Sequence, residues 1–98
     1  MSKLRHIAMQ VPNLEEAANF YESVFEMDRV GEAESPVGNA ISLSDGIMNL
    51  TLLCFPDGKG GMINSRDWAG LHHFGFVVDD KVATTRKIEE AGGEFFME

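Results

Sequence analysis

In 98 residues the chain has one cysteine, one tryptophan, one tyrosine and three prolines. A single cysteine, Cys54, cannot close an internal disulfide, so the fold must stand on packing rather than covalent staples. Cations are scarce too: eight Lys and Arg face sixteen Asp and Glu, a formal net charge of −8. Nucleic-acid binding needs clustered positive charge to displace counterions, and this balance argues against it. Apolar residues never run on for more than a few positions, so no membrane-spanning helix is expected. The opening stretch, Met1 to Gln10, lacks the apolar core of a secretory signal, and a cytoplasmic location is the expectation. What is present is a hydrophobic fraction of 44%, enough for one small folded domain with a modest core.

Histidine is also rare, and its placement is informative. The three histidines fall at the starts of two strand-like runs: His6 in "LRHIAMQVPN", His72 and His73 in "GLHHFGFVVDD". Leu4 to Val11 alternates, with Ile7, Met9 and Val11 on one side and His6, Ala8 and Gln10 on the other, the period of a strand. Pro12 ends it. Asn13 precedes Glu16 by three residues, a helix N-cap with a capping-box partner. Leu14, Ala17, Ala18, Tyr21, Val24 and Phe25 follow at helical spacing, with Tyr21 and Phe25 expected in the core. A weaker strand signal covers Val30 to Glu34. Ala40–Ser44 and Ile47–Phe55 read as a hairpin closed by Asp45-Gly46. Pro56 to Gly70 reads as a connecting loop. Leu71 to Val78 is a further strand, and Asp79 or Asp80 caps a second helix that Gly92-Gly93 terminates. Glu94 to Met97 is expected to begin another strand.

The chain repeats itself. Leu4, His6 and Val11 correspond to Leu71, His73 and Val78, while Leu14 and Phe20 correspond to Val82 and Ile88. The unit is a strand, a helix, then strands, and the second copy breaks off early. A full second copy would take the chain to about 120–130 residues. A sheet left open there exposes unpaired backbone, so a homodimer, with a partner strand completing the sheet, is the expectation.

Alternation puts His6 with Ala8 and Gln10 on one face and His73 with Gly75 and Val77 on the equivalent face. Asn49 and Thr51 share the corresponding side of "IMNLTLLCF". Phe74, Phe76 and Val78 form the apolar side of their strand, with His72, which reads as structural. Cys54 falls on the helix-facing side as a small buried hydrophobe. Small residues beside His6 and His73 leave room above the sheet. Two imidazoles in such a cup can bind a divalent metal, each through one ring nitrogen, with a carboxylate completing the set. The bland alternative is a pair of hydrogen-bonded structural histidines. Gln10, Asn49, Thr51 and, in the loop, Trp68 are the further pocket candidates. No catalytic residue is identifiable.

The segments "HIAMQVPNLEEAANFYESVFEM" and "GLHHFGFVVDDKVATTRKIEEAGGEF" resemble the vicinal oxygen chelate superfamily, which includes glyoxalase I, methylmalonyl-CoA epimerase, extradiol dioxygenases, and fosfomycin and bleomycin resistance proteins. The resemblance implies an α+β fold of paired βαβββ modules, with a curved mixed sheet and the second module incomplete. On that basis residues 1–56 form the first module, 57–70 a linker loop and 71–98 a partial second module. His6 matches the first-module metal ligand. His73 matches the second, standing six residues before Asp79. Asn49 occupies the position of the Glu or Gln that lyases such as glyoxalase I supply. The last carboxylate ligand belongs to a strand beyond this chain, and Glu94 and Glu98 come too early to replace it.

The function implied is a divalent-metal enzyme, glyoxalase- or dioxygenase-like, acting on a small molecule with adjacent oxygens. The metal, whether Zn, Fe, Mn, Ni or Co, would polarise a carbonyl. Two alternatives stand beside it: a non-catalytic small-molecule binding protein of the bleomycin-resistance type, and an inactive fragment of a longer chain.

Overall fold

The computed structural model describes residues 1–36, 38–56 and 61–95. The elements run β1 (Lys3–Gln10), α1 (Leu14–Phe25), β2 (Asp28–Glu34), β3 (Asn39–Ser44), β4 (Asn49–Cys54), β5 (Gly70–Val77) and α2 (Lys81–Glu90). The five strands form one mixed sheet in the order β2-β3-β4-β1-β5. β1 pairs in parallel with β4 and antiparallel with β5. The architecture is α+β, as expected. Among the described residues no helix is long and apolar enough to cross a membrane.

α1 starts where its cap predicts. The Asn13 side chain accepts from the Glu16 amide at 3.0 Å, satisfying one of the free donors of the first turn. Its apolar stripe lies on β3 and β4, and Val11, Ala18, Ile41, Leu43 and Leu52 form the buried core. Met9, Leu14, Ala17, Tyr21, Met27 and Leu50 pack around it. Phe25, expected inside, is exposed and stacks on Tyr21 with ring centroids 6.1 Å apart, because the helix ends before the sheet can cover its last turn. Arg29 on β2 ties helix to sheet by bonding Glu15, Glu22 and Glu32. Those three carboxylates raise its already high pKa further.

Three sequence expectations need correction. The β3–β4 connection is not a two-residue turn: Ile47 and Met48 belong to the loop, and Ser44 pairs directly with Asn49. The reason is Asp45, whose Oδ1 accepts from the amides of Met48 and Ile47 at 2.7 and 2.8 Å and so wraps the chain around its own carboxylate. The same two bonds hold that carboxyl below its usual range. Secondly, Glu94 and Phe95 are not in a strand, and the rest of that expected strand, residues 96–97, lies outside the described residues. Thirdly, β2 begins at Asp28, ahead of the expected Val30. It is an exposed strand with a bulge between Arg29 and Gly31, which blurs its alternation.

α2 is capped by Asp80, whose side chain accepts from the Ala83 amide at 3.0 Å. Asp79 instead pairs with the N-terminal amine at 2.6 Å. Gly92, at φ 99°, closes the helix, and the Gly93 amide returns to the Ile88 carbonyl at 2.8 Å. The helix buries none of its residues. An open cavity of about 560 Å³ separates it from Phe74, Phe76 and Val78 of the β5 segment, with Thr84, Thr85 and Ile88 on the helix side.

Candidate functional site

The sheet has two unlike faces. Ladder register puts Leu43 beside Leu50 and Ile41 beside Leu52 on the face that α1 covers. On the opposite face His6 aligns with Asn49 and Ala8 with Thr51. Ser42 aligns with Thr51, His73 with Ala8, and Gly75 with His6. Small and polar side chains therefore line one surface across β3, β4, β1 and β5.

His6 and His73 meet there. Their Nε2 atoms lie 3.1 Å apart and their ring centroids 5.1 Å. Gly75 makes room, since a Cβ at that position would already touch His6 at 3.5 Å. Asn49 Oδ1 stands 3.0 Å from His6 Nδ1. An amide oxygen only accepts, so His6 carries its proton on Nδ1 and turns a bare Nε2 toward His73. Thr51 Oγ1 donates to the same Oδ1 at 2.7 Å, and Ser42 Oγ lies 3.1 Å from Thr51. The result is a polar chain from β3 to the imidazole pair. Partial burial, with the His6 and His72 rings adding, holds His73 below the ordinary histidine value of 6.5. The neutral ring, the form that can ligate a metal, is thereby favoured.

Two imidazole nitrogens held by one ion at about 2.0–2.1 Å stand roughly 2.8–3.4 Å apart for bond angles between square and tetrahedral. The 3.1 Å gap between the Nε2 atoms fits that span. Asn49 fits less as a ligand than as the group that orients His6, because both of its oxygen contacts are already made inside the protein. Among the described residues no group of three or more His, Cys, Asp or Glu side chains is placed to hold a metal.

The remaining candidates sit elsewhere. Gln10 is fully buried. Its Nε2 donates to the Ser65 carbonyl at 2.9 Å and its Oε1 accepts from the Ile63 amide at 2.8 Å. Both ends clamp the loop before β5, leaving nothing for a ligand. Trp68 packs over Gly70, where an added Cβ would come within 2.5 Å of the indole. Cys54 is buried, as expected, and donates to the Pro12 carbonyl at 3.5 Å. Loss of solvation pushes its thiol pKa up, away from reactivity.

His72 was expected on the apolar side with Phe74, and the structure places it differently. Leu71 pairs with Met9 and His73 with Ala8, so His72 has no partner across the ladder and forms a bulge. The bulge brings its ring to His73: the two Nδ1 atoms are 2.8 Å apart. Its Nε2 lies 2.6 Å from the Gly61 carbonyl oxygen, and the ring stacks on Phe55 with centroids 5.9 Å apart. Strict alternation hides such a residue; the His-His doublet at a strand start was its one visible trace. Ser42, opposite Thr51 in the ladder, is a further polar residue of this face, and its one sequence signal is a polar side chain between apolar neighbours.

Comparisons with known proteins bear on the family and the fold. The family model described as the Glyoxalase/Bleomycin resistance protein/Dioxygenase superfamily matches residues 3–98. An ethylmalonyl-CoA/methylmalonyl-CoA epimerase of Cereibacter sphaeroides is 27% identical over 97 residues, covering 94% of this chain and 72% of the relative. A hypothetical protein of Bacillus halodurans C-125 superposes with a TM-score of 0.76 at 20% identity, over 93% of this chain and 69% of that one. A variant of the Streptomyces coelicolor methylmalonyl-CoA epimerase, in complex with 2-nitronate-propionyl-CoA, superposes with a TM-score of 0.74 at 20% identity, over 92% and 71% of the two chains. At those identities the structural likeness establishes the fold.

Proposed function

The chain belongs to the glyoxalase/bleomycin resistance protein/dioxygenase superfamily, and from that premise we propose that it contributes a divalent-metal site for isomerising a small molecule with adjacent oxygens. The observation that carries the proposal is the pair of Nε2 atoms facing each other at 3.1 Å. His6 and His73 hold the ion, while Asn49, backed by Thr51 and Ser42, keeps the His6 ring in the ligating tautomer. Gly75, without a side chain, gives the His6 ring its room beside His73.

A divalent ion bound there supplies Lewis-acid stabilisation of the negative charge that develops on a carbonyl when an adjacent C–H loses its proton. The epimerase relatives favour isomerase over lyase or dioxygenase chemistry, with an acyl-CoA as the substrate class. This reading calls for further ligands and for a proton-transferring group. A homodimer, in which a second copy closes the open sheet, is one source of them. Within this reading residues 1–56 act as the first module, 57–70 as its linker and 71–98 as the partial second.

The test is metal content by elemental analysis, on protein purified without chelator or metal-affinity resin, beside a His6→Ala/His73→Ala double variant. Near-stoichiometric Zn, Mn, Fe, Co or Ni that vanishes in the variant is the expected result. Solvent deuterium should then enter the α-carbon of methylmalonyl-CoA. A metal-free protein that stays metal-free after soaking overturns the proposal. It would favour the second reading, a non-catalytic binding module, which the absence of a third ligand among the described residues supports.

A further inference from the structure

His72 takes no part in the proposed coordination, yet both of its ring nitrogens are engaged, by His73 and by the Gly61 carbonyl. We propose that His72 is a positioning residue: it fixes the tautomer of His73, so that His73 presents a bare Nε2 to the ion shared with His6. This rests on the metal reading above and adds to it a residue that touches neither ion nor substrate.

The Gly61 carbonyl oxygen can only accept, so His72 Nε2, 2.6 Å away, carries a hydrogen. A neutral imidazole has one N–H, which leaves His72 Nδ1 as a lone pair. His73 Nδ1 lies 2.8 Å from that lone pair, and the contact is favourable only if His73 Nδ1 donates. His73 Nε2 is then bare. On the other side Asn49 leaves His6 Nε2 bare by the same logic. Two lone pairs at 3.1 Å repel unless a cation lies between them. Each end of the chain is thus anchored on an oxygen, one in β4 and one in the loop before β5, and the whole chain points two acceptors at a single spot.

The bulge is what makes this possible. In a regular strand His72 would point away from His73; with one extra residue in β5 the ring swings to its neighbour. Phe55, stacked at an interplanar angle of 24°, holds the ring plane. Hydrogen bonds of this kind to a ligating histidine typically govern metal affinity by about 10–100-fold.

The experiment uses the full chain and three forms of it: wild type, His72→Phe and His72→Asn. Phe keeps a ring to stack on Phe55 but offers no acceptor. Asn offers a side-chain oxygen close to where His72 Nδ1 stands. Imidazole ¹⁵N–¹H correlation spectra of metal-free protein above the histidine titration range report the His73 tautomer directly. The expected result is an Nδ1–H His73 in wild type and in His72→Asn, and an Nε2–H majority in His72→Phe. Competition with a chromophoric chelator should show cobalt binding weakened about 10–100-fold in His72→Phe and largely restored in His72→Asn. The cobalt visible spectrum should change in step, and unchanged melting of the metal-free variants rules out a merely structural loss. A His73 tautomer indifferent to His72→Phe, or cobalt affinity within twofold of wild type, overturns the assignment. Wild-type protein that keeps the Nδ1–H tautomer but takes up no cobalt overturns the metal reading instead, so the two failures are distinguishable.

Discussion

The two helical units of this chain start from matching sequence and end in different surroundings. α1 and α2 each follow a strand, each begins with an Asx cap whose side chain reaches the third amide on, and each carries apolar residues at helical spacing. Yet α1 buries Ala18 and packs against Leu43 and Leu52, whereas α2 buries nothing. Phe74, Phe76 and Ile88 in the second unit are 57%, 59% and 51% exposed. Caps and periodicity act within a few residues and decide that a helix forms. Whether it is worth much to the fold depends on how many strands lie beneath it, and α1 has β2, β3 and β4 while α2 stands off β5 across an open cavity.

Breaking that contrast directly should give the largest effect. Leu43→Ala or Leu52→Ala removes a fully buried side chain and leaves a cavity, at a cost of about 2–5 kcal/mol in chemical denaturation. Phe74→Ala or Ile88→Ala, in half-exposed positions, should cost about 1 kcal/mol or less. Equal losses in the two units would show that the second is covered in solution by something outside this structure. The helix ends sharpen the comparison at a smaller scale. α2 closes on a glycine, Gly92, whereas α1 closes on Glu26, a non-glycine at φ 57°. Glu26→Gly should therefore stabilise by about 0.5–1 kcal/mol, and Gly92→Ala should destabilise by a similar amount, read as opposite shifts in thermal midpoint.

The smallest effect is with pH. His73 is held below the ordinary value of 6.5 in the fold, so on acidification the unfolded chain takes up that proton first. Its contribution to stability is complete above 6.5 and is lost as pH falls from there through the lower folded value. Replacing it by His73→Asn should flatten this part of the stability–pH curve, and an unchanged slope would assign the dependence to another group.

Much of the fold was legible in the sequence because its signals were local. The alternation in β1, the Asn13–Glu16 cap and the glycines after α2 each act over a turn or less. The misreadings share one cause, dependence on partners distant in sequence or on side chains folding back. The β3–β4 loop lengthened because Asp45 captured two amides. Gln10 looked like a pocket residue until the loop that uses both its ends was in place. The His6–His73 juxtaposition could be inferred from the repeat. The swing of His72 could not, because a bulge exists only relative to the strand beside it.

The polar chain across the sheet also has a history in time. Its first links, Ser42 to Thr51, join residues nine apart in sequence and form as soon as the β3–β4 hairpin does. Its last, His6 to His73, joins residues 67 apart. Closing the longer span costs about 2 kcal/mol more in chain entropy, and non-local ladders such as β1–β5 are slow to form. A refolding signal read at the imidazoles therefore lags one read in the hairpin, and the site comes into being only as the chain makes its widest closure.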